Sequence, residues 1–135
     1  MKSRSELRQI IINVLYQIYI FNDAQISYET MDLIKDQLEL ENDFLNTNIL
    51  GIIEKQTIID KLANKYLQNW DINRLNKVDK AIISLGIYEL MTKEVPSIVA
   101  INEAIELSKK YSDVKVTKMI NGVLDNIYHN EVNYE

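Results

Sequence analysis

Helix breakers are scarce in this chain, with three glycines and one proline among 135 residues. Glycine and proline are the strongest punctuators of local structure. So few of them imply short, infrequent turns and long helices. Hydrophobic residues make up 47% and charged residues 26%, the balance of a folded chain rather than a disordered one. That length supports one sizeable core and rarely two, so residues 1–135 read as a single all-α domain.

Apolar periodicity agrees with this. From Ser3 to about Phe21, the residues Leu7, Ile11, Val14, Leu15 and Ile18 recur on one helix face. Arg4, Arg8, Ile12 and Tyr16 lie four apart and form a second stripe along the same helix. Two cations one turn apart can both face a phosphate backbone, and Tyr16 continues the stripe as a ring on which a base could stack, the other reading being ordinary solvated charges and a core tyrosine. A partly polar stretch, NDAQISYETMD, leads to a short helix around residues 28–39. Residues 43–70 are apolar at helical intervals, with Gly51 and Thr57 as candidate break points.

The next segment carries Leu75, Val78, Ile82 and Leu85 on one face and Ile83, Ile87 and Leu90 on another. Being apolar on two sides, it is predicted to be the central, most buried helix. Pro96 marks the following start, because proline suits the first turn of a helix and not its interior. Ser112 and Asp113 offer caps for a last helix that packs through Val116, Ile120, Val123, Leu124 and Ile127. The polar tail HNEVNYE is expected to fray.

Several classes of function are excluded or disfavoured. With no cysteine and one histidine, the chain has no disulfide, thiolate metal site or histidine cluster. There is no nucleophile–base pair or phosphate loop to which a reaction can be assigned. Neither enzymatic activity nor a cofactor is therefore expected. MKSRSELRQI is interrupted by charge and unlike a signal peptide. Nor does any run reach the roughly 18 apolar residues of a membrane span, so a soluble cytoplasmic protein is expected. The net charge of −5 argues against a general polyanion binder. RNA binding would have to come from a local patch or a basic partner.

Individual residues also carry expectations. Glycine inside a helix costs about 1 kcal/mol relative to alanine, so Gly122 is read as the site of a close helix crossing. Glu89 falls on the face of Val78, Ile82 and Leu85 and needs donors, assigned here to backbone N–H groups of the helix beginning near Pro96. Asn102 and Glu103 read as structural, Glu106 and Lys110 as an i,i+4 pair. Trp70 and Tyr88 read as packing residues and His129 as a surface one.

The segments WDINRLNKVDKAIISLGIYELM, VPSIVAINEAIELSKKY and KMINGVLDNI, in that order and spacing, resemble the NusB family. LYQIYIF after a charged lead is similar to the family's first helix. The resemblance implies about seven helices in two small bundles packed at a steep angle. It further implies a transcription antitermination factor, part of the RNA polymerase antitermination complex. Such factors bind single-stranded boxA RNA as a heterodimer with the ribosomal protein NusE and support ribosomal RNA transcription.

On that basis Lys2, Arg4, Arg8 and Tyr16 are candidate RNA contacts. The start of the last helix, with Lys115, Lys118 and Met119, is expected beside them. Asp79, Tyr88 and Glu89 are the candidate NusE contacts, Asp79 ahead of Glu89. A NusB-like domain of a ribosomal RNA methyltransferase is disfavoured, since no Gly-rich methyl-donor loop follows a strand and no room for such a domain remains before Glu135. The alternative is a helical adaptor that binds NusE but little RNA itself. Its motivation is that Lys2, Arg4 and Arg8 stand where the family has an arginine-rich segment, and Met119 where many members have phenylalanine.

Overall fold

A computed structural model describes residues 2–132. They form six α-helices: α1 (Arg4–Asp23), α2 (Thr30–Gln37), α3 (Asp43–Tyr66), α4 (Lys77–Thr92), α5 (Ser97–Tyr111) and α6 (Val114–Ile127). A 3-10 turn at Ile72–Arg74 precedes α4, and a π turn at Tyr128–Val132 continues α6. No strand occurs among the described residues.

Short polar side chains set the helix starts by accepting otherwise orphaned N–H groups. Ser3 accepts from the Glu6 amide while the Glu6 carboxylate accepts from the Ser3 amide, a reciprocal capping box on α1. Asn42, Asn76 and Asp113 accept from the amides of Leu45, Asp79 and Val116 and so cap α3, α4 and α6. Pro96 is the capping residue of α5 itself, one position earlier than a first-turn proline.

α3 runs unbroken through both Gly51 and Thr57, against the expectation of a break. At Gly51 the missing side chain makes room for a neighbour: an added Cβ would fall 1.9 Å from the Tyr88 hydroxyl oxygen. The tail also differs from expectation. Residues 128–132 hold the π turn with Val132 buried, and only residues 133–135 of HNEVNYE lie outside the described residues.

α4 is the centre, as its two apolar faces predicted, and packs against α1, α3, α5 and α6. Every residue from Ala81 to Ile87 is buried. Fully buried side chains such as Ile82, Ile83 and Ile87 each contribute about 1.5–3 kcal/mol from burial. Buried side chains from all six helices join one cluster around this helix.

The close glycine crossing lies on α4 and not on α6. A Cβ on Gly86 would meet Leu124 Cδ1 at 2.8 Å, whereas a Cβ on Gly122 would meet nothing within 4 Å. The expectation for Gly122 is thereby corrected. That residue is exposed, on the side of α6 turned away from α4.

Candidate functional site

The stripe on α1 divides into an exposed and a buried part. Lys2 and Arg4 are exposed, and the Arg4 guanidinium lies 4.6 Å above the Phe44 ring at the start of α3. Tyr16 is 39% exposed. Arg8 is only 2% exposed, which corrects its placement against a phosphate backbone. Its Nε and Nη2 donate to Glu89 Oε1 and Oε2, both at 2.8 Å, and Nη1 lies 3.7 Å from Glu103. Burial works against the Arg8 charge, but the hydrogen bonds and charge of Glu89, helped by Glu103, outweigh it and raise its pKa.

The same pair corrects two expectations for Glu89. Its donors are the Arg8 guanidinium and not backbone groups near Pro96, and its burial removes it from any partner-facing surface. Glu103 accepts from the Ser5 hydroxyl, while Asn102 is exposed. Glu106 pairs with Lys109 instead of Lys110, which donates to Gln9 Oε1 at 2.6 Å.

Asp79 is also withdrawn from the surface, being 3% exposed. The Ser112 hydroxyl at the α5–α6 junction donates to its carboxylate, so it clasps the start of α4 to that junction. Burial pushes the Asp79 carboxyl pKa up. The Ser112 bond opposes the rise, and the Asp113 charge adds to it. Tyr88 is half-buried over Gly51. Burial, then the charges of Glu54 and Glu94, push its hydroxyl pKa up. Both carboxylates are exposed, and their charge reaches Tyr88.

Beyond the α5–α6 junction, Lys115 and Met119 come together in an open cavity of about 540 Å³ between α6 and the segment following α3. Tyr66, Gln68, Trp70 and Leu75 line one side; Val116, Gly122, Val123 and Asn126 complete the α6 side. Lys118 is exposed on the flank of α6, one turn from Lys115. Trp70, read from the sequence as packing, is 53% exposed. The Tyr66 hydroxyl donates to Glu131 in the π turn, as does Lys65, which fixes one wall.

α6 packs on α3, α4 and α5 and makes no comparably extensive contact with α1. The α1 and α6 parts of the predicted surface are thus held by different packing partners rather than by each other. Lys110 and Tyr111 at the end of α5 link back to α1 through Gln9. The α6 side of the cavity was legible as Lys115, Met119, Gly122 and Asn126 at intervals of four, three and four, one helix face beside the packing face. The wall from Tyr66 to Trp70 carried no such signal. Among the described residues, no group of three or more His, Cys, Asp or Glu side chains is placed to hold a metal ion, and no helix is long and apolar enough to cross a membrane.

Comparison with known proteins supplies the wider context. The transcription antitermination protein NusB of Clostridium perfringens is 37% identical over 134 residues, covering 95% of this chain and 98% of that protein. The structure of T. maritima NusB superposes with a TM-score of 0.85 at 30% identity, covering 97% of this chain and 94% of that one. A chain from a complex of antitermination factors NusB and NusE with double-stranded RNA superposes with a TM-score of 0.79 at 26% identity, covering 93% and 96%. The NusB family model matches residues 5–129, so this chain belongs to the NusB family.

Proposed function

We propose that this protein is a transcription antitermination factor that binds boxA-type single-stranded RNA as a heterodimer with NusE and supports ribosomal RNA transcription. The observation that carries this reading is family membership over nearly the whole chain, together with likeness to a chain solved in complex with NusE and RNA. The chain works as one RNA-binding domain within the cytoplasmic transcription machinery, and its role is binding, not catalysis.

Its RNA contacts are Lys2, Arg4 and Tyr16 on the α1 side and Lys115, Lys118 and Met119 on α6, all at least partly accessible. Lysine and arginine supply the electrostatic attraction. Tyr16 and Met119 supply faces for unpaired bases. NusE docks around Tyr88, with Glu54 and Glu94 in the place first given to Asp79 and Glu89. Complementarity between these acids and a basic ribosomal protein chiefly raises the association rate.

The test is binding of boxA-type RNA to the chain with and without its own NusE, across several salt concentrations. The pair should bind more tightly than either protein alone. The combined variant Arg4→Ala, Lys118→Ala should flatten the salt dependence by about 0.7 per lost phosphate contact. RNA binding by the pair no better than by NusE alone would overturn this reading. That outcome is the one expected for a helical adaptor that binds NusE but little RNA. Burial of Arg8 favours the adaptor, since it leaves only Lys2 and Arg4 of the N-terminal cations exposed.

A further inference from the structure

We propose that the cavity between α6 and the segment after α3 receives one unpaired nucleobase of a bound RNA strand, stacked on Trp70. This rests on the RNA-binding reading above and adds to it a defined pocket.

Three independent features point to such an occupant. The first is size and lining. A volume of about 540 Å³ lies within the roughly 300–1,000 Å³ of sites that hold small organic groups. Its walls combine flat or adaptable apolar groups, Trp70 and Met119, with two carboxamides, Gln68 and Asn126. Carboxamides offer both a donor and an acceptor, the combination needed to read the edge of a base. The second feature is charge. Lys115 stands on the lining of this cavity in a chain of net charge −5, where a nucleotide's phosphate would find a cation.

The third feature is Gly122, which helix packing leaves unexplained. It sits mid-helix, where glycine is costly, and a Cβ there would meet nothing within 4 Å beyond its own stretch of helix backbone. It does line the cavity, so what the missing side chain preserves is open space for an occupant. The Tyr66 hydroxyl is already committed to Glu131, so Tyr66 acts as a positioning wall and leaves edge recognition to the carboxamides.

The chain's single tryptophan gives a direct readout. The protein is labelled with 5-fluorotryptophan, paired with unlabelled NusE, and titrated with boxA-type RNA while the fluorine resonance of Trp70 is followed. The same RNA is then used with one abasic site at each position in turn. The resonance should move on RNA binding, and one abasic position should abolish the movement. Gly122→Leu, which fills the cavity without a clash at its Cβ, should remove the shift. It should also weaken RNA binding about tenfold, the loss of one stacked base, while thermal unfolding confirms the fold.

RNA that binds tightly with the Trp70 resonance unmoved, and with Gly122→Leu equal to wild type, overturns the pocket and leaves the RNA-binding function standing. No RNA binding by the pair overturns both. A full shift on adding NusE alone, with no further change on RNA, assigns the cavity to a protein side chain. A full shift with AMP or UMP, with no abasic position mattering, assigns it to a free nucleotide. Either result overturns the proposal.

Discussion

Arg8 on α1 and Glu89 on α4 meet through two parallel hydrogen bonds of 2.8 Å, with both side chains almost wholly removed from solvent. Breaking a buried pair by removing one partner costs about 3–5 kcal/mol, because the other charge is left without compensation. Arg8→Ala and Glu89→Ala should each lower stability by about that amount in urea unfolding. Arg8→Met with Glu89→Leu should recover much of it, since an apolar pair of similar size avoids the desolvation penalty. Equal loss in the double and single variants would show that the pair's geometry, and not its charge balance, holds α1 on α4.

The two α-helical glycines at the α4–α6 crossing and on the open side of α6 should respond to alanine with opposite signs. At Gly86 the new methyl meets Leu124 at 2.8 Å, and overpacking costs about 1–3 kcal/mol. At Gly122 it meets nothing, so the gain in helix propensity should stabilise by up to about 1 kcal/mol. Thermal melts of the two variants check this directly.

Asp79 should give stability a pH dependence of its own. Its folded pKa lies above the ordinary carboxylate value, burial being the main cause. Between those two values the folded chain holds a proton that the unfolded chain has lost, so stability falls as pH rises through that window and levels off above it. Relative to wild type, Asp79→Asn should become progressively more stable across the same window. Urea midpoints measured from acid to neutral pH that run parallel for the two proteins would remove Asp79 as the source.

Tyr16 offers a test of the α1 surface that does not involve charge. If its exposed ring stacks on a base, Tyr16→Ala should cost about 1–3 kcal/mol of RNA affinity in the presence of NusE. The salt slope should stay as in wild type, because no phosphate contact is lost. A changed slope at constant affinity would place Tyr16 in support of neighbouring cations.

The sequence by itself determined the helical class, the central position of α4, and most helix starts. These follow from local causes: apolar spacing along one segment, and an Asn, Asp or Ser able to accept the first free amides, as at Ser3 and Asp113. The order of motifs from Trp70 to Ile127 was enough to point to the family. What only the tertiary structure decided is which side of each helix its neighbours cover. Arg4 and Arg8 lie one turn apart on one stripe, yet one is solvent-exposed over Phe44 and the other is buried against Glu89. Gly86 and Gly122 are both helical glycines, yet only Gly86 sits at a crossing. Trp70 and Met119 are 49 residues apart in the chain and share one cavity. Periodicity fixes a residue's angle about its own helix axis, but it carries no information about where other helices cross that axis, and at these positions the crossings separate a buried ion pair from an open binding surface.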